Sequence, residues 1–99
     1  MEAVYALALA PGLPAFQGHF PGSPILPGVV QVDWAMRLGE AAFGPLEPFR
    51  GLDHLKFLAP IRPLQSLELT LELRPGRLAF RYQCGPERMA SGTLLLGPP

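Results

Sequence analysis

The sequence predicts an α+β domain built from one long helix and an antiparallel sheet, and three observations carry that prediction. Residues 28–43 read as a helix that is apolar around most of its circumference, the mark of a helix surrounded by protein. Leu67, Leu69, Leu71 and Leu73 alternate with Glu68, Thr70, Glu72 and Arg74, the period of a strand with one buried and one wet face. The strand-like segments after the helix are joined by short turns bearing Pro and Gly, and strands joined so closely must run antiparallel.

Each element follows from local chemistry. Residues 2–9 read as a strand, which Pro11-Gly12-Leu13-Pro14 breaks. Between Gly18 and Gly28, Pro21, Pro24 and Pro27 forbid helix and hold each preceding residue extended, so this loop is expected to be stiff. Pro27-Gly28 opens the helix, which runs to about Phe43, where Gly44-Pro45 ends it. After a loop at Pro45–Pro48, residues 50–58 form a strand and Ala59-Pro60-Ile61-Arg62-Pro63 turns the chain. The alternating strand at 67–74 follows, and Pro75-Gly76 is a turn signal. Leu78, Phe80 and Tyr82 continue the apolar face, and Gly85-Pro86-Glu87-Arg88 leads into a last strand near 89–96. The order is strand, helix, then four strands, with no internal repeat and a single domain over 1–99.

Composition narrows the function classes. A chain of 99 residues buries roughly 65% of its unfolded surface and is small for a deep ligand cavity, a limit that a dimer would relieve. Eight basic and eight acidic residues leave no net charge, which argues against nucleic acid or an anionic membrane as partner. The single Cys84 forms no intrachain disulfide, and no charged segment followed by an apolar one opens the chain, so a reducing cytoplasm is expected. No apolar run is long enough for a membrane span. Two histidines and one cysteine show no zinc-ligand spacing, and no glycine-rich nucleotide or phosphate loop is present. Neither a metal nor a redox cofactor is expected.

The most informative segment runs from Phe16 to Trp34. It holds Gly18-His19-Phe20-Pro21-Gly22-Ser23-Pro24, then Pro27-Gly28, then Asp33 fourteen residues after His19. This resembles the signature of the 3-hydroxyacyl-[acyl-carrier-protein] dehydratases, a hot-dog-fold family whose pattern runs Gly-His-Phe-Pro-Gly-x-Pro, then Pro-Gly, then a catalytic Glu or Asp. Every position of that pattern is filled. The run Gln31-Val32-Asp33-Trp34 most resembles the small aryl-polyene-type members. The resemblance covers nearly the whole chain, although the leading segment and N-terminal helix of longer members are expected to be missing. Pro63-Leu64-Gln65 stands where a Pro-Gly-Asp turn is usual.

The resemblance implies a long central helix wrapped by a curved antiparallel sheet, and dehydration of a 3-hydroxyacyl chain carried on acyl carrier protein. That reaction needs a base for the C2 proton, an acid for the departing C3 hydroxyl and a group to stabilise charge on the thioester oxygen. His19 suits the base, since imidazole is readily neutral near pH 7. Asp33 suits the acid, directly or through water, and Gly28 at the helix start offers an unobstructed N–H and the positive end of the helix dipole. Each has a plainer reading. A lone loop histidine is ordinarily structural, Asp33 is spaced to form a surface ion pair with Arg37, and Gly28 also lets the chain turn after Pro27.

Gln31 is placed either to orient Asp33 or to line a dimer interface, and Trp34, Phe20, Met36 and Phe57 either wall an acyl tunnel or fill core. His54 and Cys84 have no motif around them and read as structural. Charge is uneven along the chain, at −3 for residues 1–49 and +3 for residues 50–99. The second half therefore offers either a basic patch for an acidic carrier protein and its phosphate or an ordinary solvated sheet face. The resemblance further implies a homodimer, or a higher oligomer of dimers, with sheets joined edge to edge and His19 of one protomer meeting Asp33 of the other. The rival readings are a hot-dog acyl thioesterase and a non-catalytic acyl-binding module.

Overall fold

The computed structural model describes residues 1–16 and 24–98. The chain forms strand β1 (Glu2–Ala8), a single 3₁₀ turn at Pro14–Phe16, helix α1 (Gly28–Phe43), and strands β2 (Phe49–Phe57), β3 (Ser66–Arg74), β4 (Arg77–Cys84) and β5 (Glu87–Leu96). Strand, helix and four strands thus occur in the expected order, with ends shifted by one or two residues. The five strands make one antiparallel sheet in the order β1-β3-β4-β5-β2. Because β1 and β2 occupy opposite edges, the segment between them must cross the sheet, and α1 makes that crossing.

Leucine alternation sets the register. Leu69 of β3 faces Tyr5 and Tyr82, and Leu71 faces Ala3 and Phe80. The inward residues Leu67, Leu69, Leu71, Leu78, Phe80, Tyr82, Ala90, Leu94 and Leu96 are buried with Leu26 and Ile61. Each fully buried aliphatic side chain contributes about 2 kcal/mol, so this face is the main source of cohesion. The β3–β4 turn places Gly76 at φ 77°, in the left-handed region that glycine enters without steric cost.

The helix departs from expectation on one side. Its stripe of Gln31, Ala35 and Gly39 is buried against the sheet, whereas Val29, Asp33, Arg37 and Glu40, spaced three or four residues apart, form an exposed stripe. Within one chain the sheet covers one face of α1 and does not surround it. Strand β2 is also open, with Phe49, Leu52, Leu55 and Phe57 exposed and followed by exposed Leu58. No helix among the described residues is long and apolar enough to cross a membrane.

Candidate active site

The chain reaches the start of α1 in a form set by proline. Pro27 is extended at φ −61° and ψ 146° and stands at the helix N-cap, where it has no side chain that can cap. Val30 and Gln31 both donate their amides to the Pro27 carbonyl at 3.1 Å. The amides of Gly28 and Val29 precede these first helical bonds, so they make no helical bond of their own. They carry the positive end of the dipole of a 16-residue helix. Gly28 lets the Phe57 ring lie close over the helix start, because a Cβ there would stand 2.5 Å from the ring tip and push this half-exposed side chain aside.

Around Gly28 lies a groove of about 420 Å³ lined by Ile25, Leu26, Pro27, Gln31, Phe57 and Leu58, with Ala59 and Pro60 at its end. Its walls are mostly apolar. A chain of hydrogen bonds fixes its floor. Leu26 donates its amide to the Ile61 carbonyl at 2.8 Å, and the Gln31 side-chain Nε2 donates to the Leu26 carbonyl at 3.0 Å. The Tyr82 hydroxyl donates to the Gln31 carbonyl at 2.6 Å. Burial, with a smaller contribution from the Asp33 charge, raises the Tyr82 hydroxyl well above its ordinary pKa, so it remains a proton-bearing donor at neutral pH.

The sequence-derived candidates are distributed as follows. His19 and Phe20 lie outside the described residues. Gly28, Gln31 and Phe57 come together at the groove. Asp33 does not join them, because it sits on the exposed helix stripe with its Oδ2 accepting from Arg37 Nε at 2.8 Å. Gln31 and Asp33 project from nearly opposite sides of α1, so Gln31 does not orient Asp33 within one chain. Trp34 lines a different groove, with Ala6, Leu7, Leu9, Leu13 and Leu38 beside β1. Met36 is half-buried against the core.

Away from the helix, His54 is exposed at φ 51° in an irregular part of β2, 3.4 Å from the Asp53 carboxylate. Arg81 and Arg88 line a polar groove on the outer sheet face together with Glu2 and Glu72, so positive and negative charge are mixed there. Arg74 is bound to Glu72 at 2.8 Å, and Arg74 and its hydrogen bond hold the Glu72 carboxyl below its ordinary range. Cys84 is half-buried, and burial followed by the Glu87 charge raises its thiol. No cluster of three metal-ligating side chains occurs among the described residues.

Tyr82 is the contributor that sequence reasoning passed over. The alternation of Leu78, Phe80 and Tyr82 placed it in the core, and the usable signal was the hydroxyl itself. A buried tyrosine hydroxyl ordinarily finds an acceptor, and here the acceptor is the helix that opens the groove.

Comparison with known proteins decides the family. The family described as ApeI dehydratase matches residues 1–93. The chain belongs to the ApeI-like dehydratase family. A solved structure of the dehydratase heterocomplex ApeI:P from Xenorhabdus doucetiae superposes with a TM-score of 0.91 at 34% identity, covering 98% of this chain and 88% of that one. The 3-hydroxyacyl-[acyl-carrier-protein] dehydratase FabZ of Haemophilus influenzae is 40% identical over 78 residues, which cover 68% of this chain and 53% of that protein. This ApeI-like chain therefore spans about half the length of the curated relatives it matches. The fluoroacetyl-CoA-specific thioesterase FlK shares the fold at a TM-score of 0.63 and 20% identity. The architecture is the hot-dog fold.

Proposed function

We propose that the chain converts a 3-hydroxyacyl thioester on acyl carrier protein to the trans-2-enoyl thioester, acting as a cytoplasmic homodimer in acyl-chain biosynthesis. The observation that carries this reading is the filled dehydratase pattern within an ApeI-like match over residues 1–93. The uncapped helix start at Gly28 supports it, because an amide at a helix N-terminus is suited to an oxygen gaining negative charge. Neutral His19 takes the C2 proton, and the C2 electron pair forms the new double bond as the C3–O bond breaks. Asp33 supplies, directly or through water, the proton with which the hydroxyl leaves as water, a role that requires its carboxyl to leave the Arg37 ion pair and be protonated. His19 and Asp33 then return to their starting forms by proton exchange with solvent. No metal or redox cofactor is used.

The dimer is supported by what one chain leaves uncovered. Exposed apolar side chains continue along β2 from Phe49 to Phe57 and on to Leu58 just beyond it, on an edge strand whose unpaired backbone groups suit pairing with another strand. Val29, 77% exposed, extends this apolar surface onto the first turn of α1. Pairing of two β2 edges would join the sheets and bring the exposed Asp33 stripe of one protomer toward the groove of its mate.

The test is turnover of 3-hydroxyacyl carriers of several chain lengths, following the enoyl product. Enoyl product is expected from the wild-type chain. His19→Ala is expected to reduce the rate by ~10²-fold or more while the protein stays folded. Release of free carrier thiol would make the chain a thioesterase. Tight binding of the acyl carrier without turnover would make it an acyl-binding module.

A further inference from the structure

Gln31 is 4% exposed, and its two polar atoms have different fates. Nε2 is committed to the Leu26 carbonyl, which fixes the amide orientation, since a carbonyl acceptor requires the NH₂ end. Oε1 is buried and has no hydrogen-bond partner among the described residues. A buried acceptor in this condition is costly and calls for a donor. Gln31 lines the groove around Gly28, whose amide makes no helical bond. The groove therefore has a free amide at the helix start, and one helical turn away Gln31, whose Oε1 is shielded from solvent behind the groove wall and is reached only when a lining side chain moves.

A matching ligand presents a carbonyl oxygen and, close to it, a hydrogen-bond donor. We propose that Gln31 Oε1 accepts the hydrogen bond of the C3 hydroxyl of the substrate while the thioester oxygen faces the start of α1. The inference rests on the dehydratase reading and assigns Gln31 as a specificity-determining residue in it. Phe57, 52% exposed above Gly28, is the side chain that a ligand would displace to enter.

The assignment has a chemical consequence. A hydroxyl has one hydrogen, and committing it to Gln31 turns the oxygen lone pairs toward the acid that must protonate them. The enoyl product has no hydroxyl at C3. Its binding leaves Oε1 unsatisfied once the water departs, which favours the hydroxylated substrate over the product and over a saturated chain of equal length.

The experiment compares binding of a 3-hydroxyacyl carrier with that of its saturated analogue lacking the hydroxyl, for the wild-type chain and Gln31→Met. The wild type is expected to prefer the hydroxylated ligand by roughly tenfold to a hundredfold, and Gln31→Met is expected to bring the ratio near one. A mere packing defect would weaken both ligands alike and leave the ratio unchanged. An unchanged ratio in folded Gln31→Met overturns the proposal. If Gln31→Met does not fold, the wild-type ratio alone decides, because the absence of any hydroxyl preference overturns the proposal. Wild-type turnover separates the two readings, since enoyl formation without the Gln31 effect refutes only this inference.

Discussion

Leu64 occupies a conformation that leucine resists. Its φ is 67° and its side chain is 79% exposed, in the turn where the dehydratase pattern has glycine. Its amide donates to the Leu9 carbonyl at 2.8 Å, and the neighbouring Gln65 Oε1 accepts from the Arg62 amide at 2.6 Å. These bonds hold the turn in place against a left-handed backbone cost of about 1–2 kcal/mol. Leu64→Asn, which tolerates this conformation, is therefore expected to stabilise the fold by about 1 kcal/mol and raise Tm by about 4–8 °C. An unchanged or lower Tm in a thermal melt would show that the exposed leucine carries compensating contacts. The sequence made the departure from glycine visible, but not which φ the leucine would adopt. Gln31 shows the same limit, because its residue type was legible while its helix face was settled by packing against Tyr82.

Among the elements, periodicity disclosed most of the fold, and it failed where one chain leaves apolar residues uncovered. Alternating leucines located β3 and its inward face because period and burial coincide there. Strand β2 gave no such pattern, since its apolar residues remain uncovered in one chain. For α1, apolar composition alone suggested burial all round, whereas Val29, Asp33 and Arg37 line an open face. The close helix–sheet approach at Gly39 was also hidden, since a glycine within a helix does not reveal what it faces. A Cβ at Gly39 would lie 2.6 Å from Leu78 Cδ2 and 3.4 Å from Leu46 Cδ1. Alanine adds about 1 kcal/mol of helix propensity, but overpacking against the fully buried Leu78 costs about 1–3 kcal/mol. Gly39→Ala is expected to lower Tm by several degrees, and replacing Leu78 with Val in the same chain should recover part of the loss. A Tm above wild type for the single variant would contradict the close approach of α1 to β4.

At the scale of the whole molecule, the open faces of β2 and α1 turn a description of one chain into a prediction about two. Gly28 and Gln31 line the groove, while Asp33 lies on the exposed stripe paired with Arg37. A site using all three cannot form within one chain unless α1 rotates, but a twofold mate can offer its own Asp33 stripe. The motif placed His19 and Asp33 in one reaction through family resemblance, and no local sequence pattern can show which chain supplies each. If His19 of one protomer works with Asp33 of the other, the arrangement occurs twice per dimer. Mixing His19→Ala chains with Asp33→Asn chains and allowing exchange should then yield about half heterodimers, each with one site lacking both groups and one keeping both. Roughly a quarter of wild-type activity should return, for independent sites and random pairing. If both groups came from the same chain, each heterodimer site would lack one of them. No recovery despite verified exchange would therefore rule out the shared site, and recovery near a quarter would place the acid and the base on different chains.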